Sequence, residues 1–406
     1  MVLISRSLRF GPFGPYAEGF AQELLRRGYT VNGAVQHLRF IAHLNRWMLA
    51  HGLDMSGLSM PVIERFLSER RASGYVRYRT VKAMRPVLGY LAPLGVLPEV
   101  DIPERGPAED LLERYRRFLT SERGLAGTTA RGYTDAVRRF VAGREVADGL
   151  DLAGLTAGDV TVFVLAECPH RKVGSAKMVV TALRSFLGWL HLAGLLPMSL
   201  SGAVPAVAGW RLSGLPKGLE PDQVRRLLAS CDRRRATGRR DYAILLILAR
   251  LGLRAGEVAA LSLGDIDWHS GEIVVRGKGN RAERLPLPTD VGAAIAAYLR
   301  RGRPSTAQGR SVFVRAMAPR EAVTAQAVTM VVFEAGQRAG LGKIHSHRLR
   351  HTAATAMVRA GGSLAEVGQV LGHRSVHTTA IYAKVDRNAL RVLARPWPAT
   401  SGGVNS

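Results

Sequence analysis

Residues 239–252 read RRDYAILLILARLG, the most apolar stretch of the chain. A helix apolar over most of its surface needs partners on every side, so this segment has to be the core helix of a domain. It runs straight into LRAGEVAALSLGDID, and after that the period of the pattern changes to two. GEIVVRGKGNRAERLPLP, residues 271–288, predicts two strands joined across a Gly-Lys-Gly-Asn turn, with Ala260–Trp268 as a further first strand. Helical spacing resumes over Asp290–Arg301 and Ala325–Gly340 and continues into the stretch from His345 to Tyr382. The expectation is a mainly α domain with a small antiparallel β-sheet, an α+β class, spanning 215–395, with a disordered tail over 396–406.

Upstream the pattern is helical throughout. After an extended, Gly/Pro-punctuated lead, helices are predicted over Ala17–Arg27, Val31–Ala50, Pro61–Ser73 and Tyr78–Leu91, making a block over 1–100. Pro98 and DIPERGP (101–107) read as a linker, and a second helical block occupies 108–200. LDMSGLSMPVIERFL from Leu53 matches LDLAGLTAGDVTVFV from Leu150, and VKAMRPVLGYLAPLGVLP from Val81 matches VTALRSFLGWLHLAGLLP from Val180. Both pairs lie about a hundred residues apart, which indicates a duplicated unit. The Ser-, Gly- and Pro-rich segment 198–218 is the main interdomain linker.

Charge narrows the function. Lys and Arg number 57 against 32 Asp and Glu, a formal net charge of +25, which concentrates polyanions at the surface and points to nucleic acid. Only seven of the basic residues are lysines, so a lysine inside a motif is less easily there by chance. Arg65, Arg70, Arg71, Arg77, Arg79 and Arg85 in the first block, and Arg131, Arg138, Arg139, Arg171 and Arg184 in the second, are expected to contact a DNA backbone. Cys168 and Cys231 form neither a CxxC nor a zinc spacing. No long apolar leader and no run of about 18 apolar residues occurs, so the expected place is the cytoplasm, with no membrane partner.

His345–Tyr382 holds five of the chain's eleven histidines, four arginines, and a tyrosine at its end. His347, Arg350 and His351 fall on one helix face. Ser363 and Glu366 form a capping-box start, and Gly372 suits a left-handed C-terminal cap. His345, His347 and His351 also have metal-ligand spacings, but no carboxylate or Cys partner is evident beside them, so no metal or other cofactor is expected. In chain order the C-terminal block supplies Arg254 (LGLRAGE), Lys278 (RGKGN), His347 and Arg350 (HRLR), His373 (LGHRS) and Tyr382 (TTAIYAKV). This set, in this order and spacing, resembles the tyrosine recombinase/integrase family over about residues 215–390.

The resemblance implies helical DNA-clamp (core-binding) domains followed by a catalytic domain. It also implies double-stranded DNA as partner, a homo- or hetero-tetramer assembled on it with Arg387–Ala394 as an exchanged element, and metal- and ATP-independent strand cleavage and religation. The chemistry follows from the residue types. A phosphodiester broken without loss of its energy needs a protein nucleophile, here Tyr382. Arg254 and Arg350 match the nonbridging oxygens of a pentacoordinate transition state. Lys278 would protonate the leaving 5′-oxygen, His347 would assist proton transfer at the tyrosine, and His373 would hydrogen-bond a phosphate oxygen. Against this, Arg254 with Glu257 also reads as a helix-end ion pair, and Lys278 as a solvated turn. His345 and His351 read as structural and His377 as an exposed helix residue. A DNA-binding protein without turnover, and a type IB topoisomerase-like enzyme, are the competing functions.

Overall fold

The computed structural model describes residues 8, 10–98, 106–147, 149–208, 218–277, 282–307, 309–372, 379 and 382. The chain divides into two compact units, one made of 1–98 with 214–406 and the other of 99–213. The class is as expected: helices dominate, with a small antiparallel sheet in the C-terminal part.

In the first unit the N-terminal block folds as α1 (Ala17–Arg26), α2 (Val31–Ala50), α3 (Met60–Ala72) and α4 (Arg85–Leu91). Thr30 caps α2 by accepting from the Gly33 N–H at 3.1 Å. The faces of these helices enclose a core of Phe13, Phe20, Leu38, Phe40, Leu44, Phe66 and their neighbours. The helix expected over Tyr78–Leu91 is shorter than its spacing predicts. Tyr78 sits at φ 55, Val81–Met84 is a 3-10 turn, and α4 begins only at Arg85. Pro86 explains the start, because a proline lacks the N–H of a helix interior and fits only a first turn.

The second unit contains α5 (Pro107–Arg117), α6 (Gly127–Ala142), a two-residue-strand hairpin β1 (Glu145–Val146) and β2 (Gly149–Leu150), α7 (Ala157–Glu167) and α8 (Val173–Leu192). Its own core gathers Tyr115, Phe186, Trp189 and the surrounding leucines and valines. Burial pushes the Tyr115 phenol up to about 12. The matching segments begin alike, since α3 and α7 start at equal distance past Leu53 and Leu150. They then diverge: 81–94 is a 3-10 turn, α4 and another 3-10 turn, whereas its counterpart is continuous α8 up to the C-cap Ala193. Pro86 and Pro93 occur in the first copy only.

The C-terminal block, in the first unit, runs α9 (Pro221–Ala229), α10 (Ala236–Leu251), α11 (Ala255–Ala260), β3 (Ile266–Asp267), β4 (Glu272–Arg276), β5 (Ala282–Pro286), α12 (Thr289–Arg301), α13 (Ala325–Arg338), α14 (Ser346–Arg359) and α15 (Leu364–Val370). As its composition demands, α10 is central: Ala243 through Ala249 are all buried, and α9, α11, α12, α13 and α14 pack against it. The sheet order is β3-β4-β5, antiparallel, with Ile273 opposite Leu285. The first strand is much shorter than Ala260–Trp268. The Ser262 N–H donates to Asp265 Oδ2 at 2.8 Å and closes a 3-10 turn over Leu263–Asp265, which leaves two residues for pairing. The N-terminal block touches this one, with the Arg320 N–H donating to the Arg27 carbonyl at 3.4 Å.

Ile247 is fully buried on α10. Ile247→Ala is expected to cost about 2–5 kcal/mol, read as a lower urea midpoint; a loss under about 1 kcal/mol would mean that α10 is not enclosed.

Candidate active site

The site grows from the C-terminal end of α10. Gly252 there has φ 65, and a Cβ at this position would lie 2.7 Å from Leu371 Cδ2 and 3.2 Å from Ala353 Cβ. Glycine is needed twice over, for the left-handed cap and for the close approach of the neighbouring chain. Two residues on, Arg254 is the N-cap of α11. Its N–H donates to Glu257 Oε2 at 2.7 Å and its Nη1 to Glu257 Oε1 at 2.5 Å, so the helix-end ion pair does form. The pair leaves Nη2 free to turn the other way, toward the Gly372 carbonyl at 3.5 Å.

Arg350 comes from α14 and is 5% exposed. Its Nη1 donates to the Gly252 carbonyl at 2.7 Å and its Nη2 to the Leu371 carbonyl. Burial, with the charge of Arg254 adding to it, pushes the guanidinium down to about 10, which leaves it charged near neutrality. The two arginines therefore meet at one turn, residues 371–372. That turn is built as the sequence predicts: Ser363 and Glu366 exchange capping hydrogen bonds at the start of α15, and Gly372 ends it at φ 58. Glu283 on β5 closes the turn from the sheet side, since a Cβ on Gly372 would come within 3.0 Å of its Oε2.

Tyr382 is 2% exposed and packs with Ala354, Val358, Val367 and Leu371. Burial raises its phenol, and the Arg350 charge opposes that shift. Its Oη shares a hydrogen bond with His351 Nδ1 at 2.7 Å. The helical spacing places His351 beside His347 and Arg350, where by sequence alone it reads as structural. Which histidine meets the tyrosine is a tertiary fact that the spacing does not contain. His347 is exposed, one turn earlier, and His345 is exposed at the N-cap of α14. Lys278, His373 and His377 lie outside the described residues, as do Arg387–Ala394. Among the described residues no three His, Cys, Asp or Glu side chains form a metal-binding group. No described helix is long and apolar enough to cross a membrane.

Of the arginines expected to face DNA, Arg70 is not on the surface. It is 7% exposed, with its guanidinium 3.9 Å from the Tyr75 ring centroid and its Nε donating to the Arg77 carbonyl at 3.3 Å. Its long side chain packs instead of reaching out. Arg65, Arg71, Arg77, Arg79 and Arg85 are exposed.

Residues 217–389 match the phage integrase family, and this stretch carries the two arginines and the tyrosine. The chain is 41% identical over 393 residues to the putative integrase/recombinase y4rA of Sinorhizobium fredii (strain NBRC 101917 / NGR234), covering 96% of this chain and 95% of that one. It is 32% identical over 251 residues to the tyrosine recombinase XerD of Listeria monocytogenes serotype 4b (strain F2365), covering 61% and 84%. It belongs to the tyrosine recombinases of the phage integrase family. The fold agrees: the XerH site-specific recombinase bound to palindromic difH substrate superposes with a TM-score of 0.57 at 18% identity, covering 73% of this chain and 98% of that one.

Two outcomes are expected from this geometry. A lysine at 350 carries one compact charge and cannot span both carbonyls. Arg350→Lys should therefore lose about 1–3 kcal/mol in urea unfolding. Burial, chiefly, holds His351, and likewise His37 and His43, below the ordinary imidazole value. A base with a depressed folded pKa binds fewer protons folded than unfolded, so stability is lost as pH falls. The urea midpoint should drop as pH goes below about 6.5, and a flat profile would refute that burial.

Proposed function

We propose that the chain is a site-specific DNA recombinase that cleaves and rejoins strands through a covalent 3′-phosphotyrosine intermediate at Tyr382, without metal or ATP. The observation that carries this reading is the convergence of Arg254 and Arg350 on the 371–372 turn, with Tyr382 packed against Leu371. Two guanidinium groups on one side of a tyrosine offer charge to the nonbridging oxygens of a phosphate while the phenol attacks phosphorus. Arg350 keeps its charge despite burial, and the Glu257 carboxylate holds Arg254 in place.

Lys278 is the proposed general acid for the leaving 5′-oxygen, carried between β4 and β5. His347 and His373 complete the set as proton-handling and phosphate-binding imidazoles. Double-stranded DNA is the substrate, held by the exposed arginines of the helical blocks, and the net charge of +25 supplies the long-range attraction. The domain plan proposed is a helical block over 1–100, a core-binding block over 108–200 and a catalytic domain over 215–395. Assembly as a tetramer on DNA belongs to the same reading and rests on the family resemblance.

A nicked suicide duplex drawn from DNA flanking the gene should trap a covalent protein–DNA adduct, visible on a denaturing gel, that Tyr382→Phe abolishes. No adduct from the wild type on any flanking duplex would favour a DNA-binding protein without turnover. An adduct that survives in Tyr382→Phe would move the nucleophile elsewhere.

A further inference from the structure

A phenol becomes a competent nucleophile as it sheds its proton, so the group that shares a hydrogen bond with its oxygen governs how the attack begins. On Tyr382 that group is His351. Nδ1 lies 2.7 Å from Oη, and the two rings are 5.6 Å apart at 56°. The arrangement follows from α14, where consecutive residues turn to opposite tasks. Arg350 reaches inward to the Gly252 and Leu371 carbonyls, and His351 reaches the tyrosine.

Resting on the assignment of Tyr382 as nucleophile, we infer that His351, in place of the exposed His347 one turn earlier, is the catalytic residue that accepts the proton in the attack. The proton leaves Oη for Nδ1 as Oη bonds to phosphorus. The phosphorus–O5′ bond breaks, and the 5′-oxygen departs with the proton of the general acid, Lys278. In religation the 5′-hydroxyl attacks and returns its proton to Lys278, the phosphorus–Oη bond breaks, and Nδ1 gives its proton back to Oη. Atoms and charge balance without any further reactant.

The surroundings of His351 suit an acceptor. Its own helix presents His347 and Arg350, Tyr382 lies opposite, and Arg254, Glu257 and Glu283 act on the Arg350 end of the site. Burial, then His347 and Arg350, all disfavour the imidazolium, so the ring is neutral near pH 7 with a lone pair available. The same groups make the captured proton easy to give back, which a reversible strand exchange requires.

A different role is open to the same hydrogen bond. Tyr382 is 2% exposed, and His351 could serve only as a latch that keeps it buried until DNA arrives. The two roles have opposite signs. If His351 is the acceptor, its loss slows cleavage; if it is a latch, its loss leaves cleavage unchanged or speeds it.

The test uses the full chain and single-turnover adduct formation on the nicked duplex. His351→Ala removes the contact, while His351→Asn keeps a hydrogen-bonding amide near the Nδ1 position but accepts no proton in this range. Both should slow adduct formation by about a hundredfold or more, with DNA binding by gel shift unchanged. The wild-type rate should fall below about pH 6.5, and His351→Asn should lose that limb. A duplex with sulfur in place of the bridging 5′-oxygen, a leaving group that needs no proton, should rescue Lys278→Ala but not His351→Asn. Adduct rates at or above wild type in His351→Asn, or rescue by the sulfur duplex, would overturn the assignment. A wild type that forms no adduct would overturn the nucleophile assignment beneath it, so the two failures are distinguishable.

Discussion

One buried charge ties the C-terminal block together. The Arg350 guanidinium is almost wholly removed from water, a costly placement unless its N–H groups are satisfied. It is held by two main-chain carbonyls, Gly252 at the end of the core helix and Leu371 at the end of α15. Main-chain acceptors neutralise nothing, so the group keeps its positive charge for a substrate while remaining anchored. The geometry also needs Gly252, whose left-handed backbone ends α10 and whose missing side chain lets Leu371 approach. Core packing and site geometry are therefore one construction: α10, α14 and α15 cannot shift relative to each other without moving this arginine.

Much of this was readable from the sequence because it depends on local rules. α10 had to be central because hardly any of its surface tolerates water. The Ser363–Glu366 box and the Gly372 cap depend only on residues three or four apart, and both form where the pattern places them. Reading failed where one residue overrode a periodic pattern. Pro86 delays α4, and the Ser262–Asp265 turn takes most of the expected first strand. It also failed where the partner is remote. The sequence marks Arg350 as a candidate site residue, but it does not show the anchoring to carbonyls 98 and 21 residues away. Nor does it show the hydrogen bond of His351, whose partner, 31 residues on, is brought to it only by the packing of Tyr382 into the α14–α15 cluster.

The arginines show how one residue type serves unlike ends in a very basic chain. Arg350 is a buried anchor with its charge intact. Arg70 is a packing side chain laid on aromatic rings, and its guanidinium is lowered by burial. Arg138 and Arg139 are tied to Glu109 and Glu167, while Arg71 and Arg77 stand in solvent. Net charge identifies the class of partner, and burial decides which side chains can meet it.

The 371–372 turn has a consequence for biosynthesis and decay. Arg254 and Arg350 are made before Leu371, and Tyr382 is made after it. Until the ribosome has extended the chain past this turn, Arg350 lacks one of the two carbonyls that hold it, and Tyr382 does not exist. A nascent chain, or one clipped by a protease ahead of residue 371, carries both helical blocks with their exposed arginines but neither the turn nor Tyr382. On the function proposed above, such a fragment would keep the surface that meets DNA and lack the group that cuts it.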